Sequence, residues 1–303
     1  MLEKKVTDIT QCGREITVQE IEAIKETVSM FWQLSRKELA QTIAEHMQWY
    51  RASGTNKVDA SLKLLEKLES QGVLQLPAKR IIAKPTVKRA ISITEETGPQ
   101  PEISCKLKEV YPVELEIVKD KDIVVLWKEY VSRYHYLGYK KPFGYTLRYF
   151  IKSKAGRLGC VLFSGAAKSI GTRDCWIGWK EKQRLNNLPW VINNSRFLIF
   201  PWVRVKNLAS HVLGQIRRQI KDHWQQSWGY RPVLMETFVD PKHYQGTCYK
   251  ASNWQYLGLT TGQGLVRKGK TYTTSPKKIF IKPLAKNYRD LLCSKKLVGR
   301  VLL

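Results

Sequence analysis

The stretch NLASHVLGQIRRQIKDHWQQSWGYRPVLMETFVDPKHYQGTCYKASNWQYLG, residues 207–258, decides the fold. Its first part reads as one long helix closing at Gly229, PVLMETFV as a β-rich strand, and YQGTCYKASNWQYLG as containing a short helix. Helix, strand and helix in such close succession place this segment in a mixed α/β domain. Side chains alternate along a strand, so Glu236, Phe238 and Asp240 share one face and Met235, Thr237 and Val239 the other.

Upstream lie four β-rich runs: TLRYFIKS (146–153), LGCVLFSGAA (158–167), RDCWIGW (173–179) and RFLIFPWVRV (196–205). Gly-containing turns separate them, and an antiparallel meander is the simplest arrangement. Before them, residues 113–117 predict a strand and a helix starts near Asp120, followed by the aromatic turn YHYLGY. Downstream, VRKGKTYTTSPKKIFIKPL is basic and strand-like, with Arg267, Lys268, Lys270, Lys277 and Lys278 forming a solvated face beside nucleic acid.

The N-terminal eighty residues differ in kind. Thr17 with Glu20, and Ser35 with Glu38, each form the S/T-x-x-E capping box that opens a helix. A third helix, VDASLKLLEKLESQG, buries Leu62, Leu65 and Leu68 and stops at Gly72, and VLQLP reads as a short strand. Three helices and a strand outline a winged helix, whose third helix presents Ser61, Lys63 and Lys67 to DNA. The alternative is a three-helix packing or partner-docking module. Residues 78–105 have linker composition. The expected organisation is α+β: a helical winged-helix-like module at 1–80, a linker at 81–108, and a basic mixed α/β domain at 109–303.

Charge is distributed unevenly between these parts. Residues 1–130 carry 20 Lys and Arg against 20 Asp and Glu, whereas residues 131–303 carry 32 against 6, so the whole excess of +26 lies in the second part. Seven of the ten tryptophans lie there too, which points to a polyanion, DNA first and RNA as the alternative. No run of eighteen apolar residues occurs and the N-terminus lacks a signal-peptide pattern, so a soluble, cytoplasmic protein without a membrane partner is expected. Six scattered cysteines without a C-x-x-C pair argue against structural zinc and a disulfide framework.

The order YHYLGY, LGCVLFSGAA, RDCWIGW, NNSRFLIFPWVRVKNLASHVL, VLMETFVDPKHYQGTCYKASNWQYLGLTTGQG and KKIFIKPL resembles the DruA family of the Druantia anti-phage system. The resemblance spans roughly residues 15 to 285. It implies a protein of phage defence or of a mobile element, found beside transposases, with partner proteins of that system. Strand, long helix, strand and a short helix ending in ASNWQYLG also resemble the second half of the GNAT acetyltransferase fold. GNAT enzymes hold the pyrophosphate of acetyl-CoA on a Gly-rich turn before the long helix. Here that turn, RVKNLASHVLG, has no glycine before Gly214, so the likeness implies a scaffold and speaks against acetyl transfer.

Two functional classes follow. As a DNA-binding protein, the chain offers Arg196, Arg204, Lys206, Arg217, Arg218, Lys221, Lys242 and Lys250 for phosphates, with Lys63 and Lys67 in the first module. Trp176, Trp179, Trp202, Tyr249 and Trp254 are the aromatic residues suited to stacking on exposed bases. As a metal-dependent nuclease or transposase, it requires carboxylates that converge on Mg²⁺ or Mn²⁺, and Glu236, Asp174 and Asp240 are the candidates among six acids. Glu236 and Asp240 lie about 13 Å apart along an ideal strand, so Glu236 needs an acid from a neighbouring strand, such as Asp174. The bland alternative is that these acids pair with Arg or Lys or cap turns. Cys248 with His243, and Tyr244 or Tyr249, are weaker candidates for a nucleophile.

Overall fold

A computed structural model of the protein describes residues 8–78, 91–262 and 274–295. These fall into two units, one built on 8–78 with 181–186 and 295, the other on 91–180, 187–262 and 274–294. Arg267, Lys268 and Lys270, and most of the N-terminal part of the expected linker, lie outside the described residues.

The first unit opens with a hairpin, β1 (Ile9–Gln11) and β2 (Arg14–Ile16), followed by α1 (Val18–Met30), α2 (Arg36–His46) and α3 (Val58–Ser70). Both capping boxes form: Thr17 and Ser35 accept the amides of Glu20 and Glu38, whose carboxylates return to the cap amides. Ile16, Ile21, Ile24, Leu39, Ile43, Leu64, Leu65 and Leu68 close one core. The buried face of α3 is Ser61, Leu64, Leu65 and Leu68, which corrects the expected Leu62 face and removes Ser61 from any exposed surface. VLQLP forms no strand. Side chains and the preceding helix take up part of its backbone hydrogen bonding: Glu69 accepts the Leu76 amide, Arg36 Nε donates to the Pro77 carbonyl and the Val73 amide donates to the Leu68 carbonyl.

Part of the expected linker is built into the second unit. Ile103–Cys105 is β3, paired in parallel with β8 (Val203–Val205), and a 3₁₀ turn at Glu95–Thr97 packs against α4 (Lys121–Tyr134). The main sheet comprises β4 (Glu114–Ile117), β5 (Leu147–Ser153), β6 (Gly156–Gly165), β7 (Val191–Ile199), β9 (Leu234–Val239), β10 (Gln255–Leu259) and β11 (Lys278–Pro283). Its order is β10-β11-β9-β7-β6-β5-β4, and β4 to β7 form an antiparallel meander, in which TLRYFIKS, LGCVLFSGAA and the start of RFLIFPWVRV take part as expected and RDCWIGW does not. Asp120 caps α4 as its position before the apolar run requires. The helices α5 (Gly171–Ile177), α6 (Glu181–Asn187), α7 (Leu208–Trp228), α8 (Thr247–Ala251) and α9 (Tyr288–Leu292) complete the chain. The strand, long helix, strand and short helix from β7 to α8 give the second unit its GNAT-like topology, and the fold class is α+β.

RDCWIGW is a helix, not the expected strand. Arg173 and Ile177, four residues apart, are buried while Cys175 between them is exposed, which is helical spacing, and Gly178 at φ +85° ends the turn.

The sheet opens at its centre. β7 and β9 pair in parallel only through Val191–Leu234, Ile192–Met235 and Asn193–Glu236, after which β7 stays with β6 and β9 with β11. A register shift falls between Asn194 and Arg196, so Ser195 is an extra residue in β7. Such a bulge bends its strand, and the Asn194 amide holds it by donating to the carbonyls of Leu162 and Arg196. Among the described residues no helix is long and apolar enough to cross a membrane.

Candidate functional site

Glu236 sits at the last position where β9 pairs with β7, fully buried. Its Oε1 accepts the Ala167 amide at 2.8 Å and its Oε2 accepts Arg173 Nη1 at 2.7 Å. Arg173, also without exposure, turns its Nε and Nη2 to Asp174 Oδ1 at 2.9 and 2.8 Å and gives Nη1 to the Ala167 carbonyl. Asp174 further accepts the Ile170 amide and the Trp179 indole. Glu236 and Asp174 are therefore brought to one cluster, but by a guanidinium that stands between them, and Asp174 comes from a helix rather than the expected strand. Burial pushes the Glu236 carboxyl up, opposed by the pull of Arg173.

Asp240 lies apart from this cluster. Its Oδ1 accepts the Lys242 amide and its Oδ2 the Ser275 hydroxyl, the pattern of a turn-opening aspartate. The Lys242 amide contributes most to holding its carboxyl below the usual range. The three acids do not assemble as a metal site, because the oxygens of Glu236 are occupied by donors and a cation already fills the space that Mg²⁺ or Mn²⁺ requires. Among the described residues no other group of His, Cys, Asp or Glu does so either.

The opened edge between β7 and β9 holds a cavity of about 350 Å³, walled by residues of both strands, the YHYLGY turn and the loop into α8. Tyr249 is buried in its wall and donates to Asn194 Oδ1 at 2.7 Å. Burial drives its phenol well above the usual range, so it packs and holds the bulge rather than attacking phosphate. Cys248 is likewise pushed up by burial, to about 11, which keeps it a thiol and removes the nucleophile reading. His243 instead lies against Tyr136, ring centroids 4.6 Å apart, with Tyr244 at 5.7 Å from the same ring.

Arg196 lines the cavity, half-buried, with Nε on the Gly138 carbonyl at 2.9 Å and Nη1 on the Ser195 carbonyl at 2.6 Å. The remaining cations expected to bind are spread over the unit's surface. Arg217 and Arg218 stand exposed on α7 and Lys221 is half-buried; Lys206, Lys242 and Lys250 are exposed. None of these six, nor Arg196, has a carboxylate partner among the described residues, whereas the exposed Arg204 lies 3.3 Å from Glu102. Lys282 of β11 is half-buried, with its Nζ donating to the Asn253 carbonyl at 2.7 Å, and burial together with the nearby Arg217 lowers its pKa. Lys63 and Lys67 are exposed on α3 of the first unit.

Of the tryptophans proposed for stacking, Trp179, Trp202 and Trp254 are buried core, and Trp176 is half-buried against Tyr288 and Arg289. Beside the cavity the exposed rings are tyrosines, Tyr136 and Tyr244. Both belong to quoted motifs, YHYLGY and DPKHYQG, and the paired His-Tyr steps were the available signal.

The family model described as Druantia protein DruA matches residues 67–273, more than half of the chain. No curated protein matches. Among solved structures the chain is similar to aminoglycoside acetyltransferase AAC(6')-Ib in complex with coenzyme A and kanamycin, at 14% identity over 59% of this chain and 97% of that one, TM-score 0.35. It is similar to an N-acetyltransferase from Staphylococcus aureus Mu50 at 10% identity over 57% and 97%, TM-score 0.32. It is similar also to the microcin C7 self-immunity acetyltransferase MccE at 12% identity over 46% and 61%, TM-score 0.29, so less than two thirds of that protein is spanned.

Proposed function

The chain belongs to the DruA family of the Druantia defence system, and we propose that it binds DNA through the basic face of its second unit, without cleaving it through Glu236, Asp174 and Asp240. The observation that carries this reading is a set of exposed cations on the second unit, Lys206, Arg217, Arg218, Lys242 and Lys250, that have no carboxylate partner among the described residues. Exposed cations without acidic partners leave a positive potential that attracts a polyanion, and phosphate neutralisation releases counterions. The Glu236–Arg173–Asp174 cluster supports a structural part for those acids, leaving DNA contact to the surface.

Fluorescence anisotropy of the purified chain with labelled single- and double-stranded oligonucleotides tests the reading. Affinity is expected to fall steeply between about 50 and 200 mM salt and to be unchanged by EDTA. Arg217→Glu with Arg218→Glu is expected to reduce the slope of log K against log salt by about 2. Binding indifferent to salt and to this double variant rejects the basic face; cleavage that requires Mg²⁺ or Mn²⁺ and is abolished by Glu236→Gln rejects the structural part of the cluster.

The first unit suits a protein partner better than DNA. Its α3 carries Glu66 and Glu69 as well as Lys63 and Lys67, so phosphate meets mixed charge there. At the turn after α1, Met30 and Trp32 are 63% and 67% exposed with Phe31 between them, an apolar tip that fits a partner protein of the defence system. Lys63→Glu with Lys67→Glu is expected to change DNA affinity less than about twofold, since exposed charges flanked by acids contribute little. A loss of tenfold or more in the same anisotropy assay restores the winged-helix reading.

A further inference from the structure

The cavity between β7 and β9 has features that phosphate binding on the surface does not use. Arg196 is fixed by two backbone carbonyls, yet has no carboxylate partner among the described residues. The Ser195 hydroxyl oxygen is buried without a hydrogen-bond partner among the described residues, which is costly for a polar group. His135 Nδ1 accepts the Leu137 amide, so the neutral ring keeps Nε2–H as a donor. Asp240 adds an acceptor, since a carboxylate has lone pairs beyond the two bonds it makes. Donors and an acceptor thus line one cavity, beside the Tyr136 and Tyr244 rings, which are 37% and 58% exposed.

We propose that this cavity takes one unstacked nucleotide base from the DNA strand on the basic face, the base edge meeting Arg196 and Asp240 and its plane meeting Tyr136 and Tyr244. The proposal rests on the DNA-binding reading above and deepens it to single-stranded or locally opened DNA. The chemistry selects a base over a phosphate. Asp240 in the wall repels an anion, while a base edge offers carbonyl and ring-nitrogen acceptors to Arg196 and amino donors to Asp240. A volume of about 350 Å³ lies within the range of small-ligand sites. Lys242, two residues before Tyr244, and Lys250, directly after Tyr249, are exposed and supply phosphate contacts on either side of the entering nucleotide.

Anisotropy with the full chain compares a single-stranded oligonucleotide with the fully paired duplex of the same sequence. Tyr244→Ala, Tyr136→Ala and Arg196→Gln are each expected to weaken single-strand binding about tenfold and leave duplex binding within twofold, in keeping with base–aromatic stacking. Arg217→Glu with Arg218→Glu weakens both. Tyr244 is exposed, so its removal spares the core, and far-UV circular dichroism checks each variant. As a second readout, irradiation of a 5-iodouracil-substituted single strand is expected to crosslink Tyr136 or Tyr244. Binding to both substrates with unchanged tyrosine variants, or crosslinks confined to other residues, overturns the base pocket and leaves the DNA-binding reading standing. Failure of the unaltered chain to bind either substrate overturns both.

Discussion

Arg173→Met is expected to cost about 3–5 kcal/mol of unfolding free energy at neutral pH, because it strands a buried carboxylate. Glu236 has no exposure, and with Arg173 gone its one remaining donor is the Ala167 amide. Asp174 loses two further hydrogen bonds, though it keeps the Ile170 amide and the Trp179 indole. Chemical denaturation monitored by circular dichroism measures the loss. The same argument fixes its pH dependence. In the variant, burial without a cation raises the Glu236 pKa above that of the unfolded chain, so the folded form binds the extra proton and stability falls as pH rises through that interval. The deficit of Arg173→Met should therefore be smaller near pH 4 than at pH 7. Converting both partners, Arg173→Met with Glu236→Met, should recover much of the loss, since a well-packed apolar pair replaces a desolvated ionic one. A deficit under about 1 kcal/mol in the single variant contradicts the structural part assigned to the cluster.

This cluster also shows what the sequence can and cannot carry. Glu236 and Asp174 stood out as rare acids in a basic field, and they do share one site. The alternative that these acids pair with arginine or cap turns describes them, with Arg173 as the cation that joins Glu236 to Asp174; its burial was not legible, because a buried arginine has the same letter as the exposed cations around it. It was further hidden by RDCWIGW, where Arg173, Cys175 and Ile177 alternate as a strand would, while the burial follows Arg173 and Ile177 along a helix. Capping boxes, the long helix and strand β9 were legible because each is fixed by local chemistry. The opening between β7 and β9 was not, because it depends on a one-residue bulge at Ser195 and on which strands become neighbours across forty residues of chain. The tryptophans are poor stacking candidates for a related reason: tryptophan is the larger hydrophobe, so most of those in the second unit pack in the core, while the exposed rings beside the cavity are tyrosine.

Glu129→Leu is the second variant expected to have a large effect, about 3 kcal/mol of stability at neutral pH. Glu129 is buried on α4, and its Oε1 accepts the Thr94 amide, the Thr94 hydroxyl at 2.9 Å and the Thr97 hydroxyl at 2.6 Å. Bonds to a charged acceptor contribute about 1.5–3 kcal/mol each, and an apolar replacement leaves buried donors without partners. These bonds also tie the 3₁₀ turn at Glu95–Thr97, from the expected linker, to the second unit. Burial alone raises the Glu129 carboxyl, but the hydrogen bonds from Thr97 and Thr94, with Arg133 nearby, outweigh it and hold the pKa below the usual range. A depressed acid contributes stability that is complete above its unfolded pKa of about 4.3 and is lost as pH falls through the folded value. The difference between the unaltered chain and Glu129→Leu should accordingly be constant from about pH 6 to 8 and shrink below about pH 4. Thr97→Val, which removes one donor and keeps the carboxylate, should lose about half as much with the same pH trend. If Glu129→Leu matches the unaltered chain at pH 7, the turn is not held by this carboxylate, and residues 93–105 revert to the linker their composition suggested.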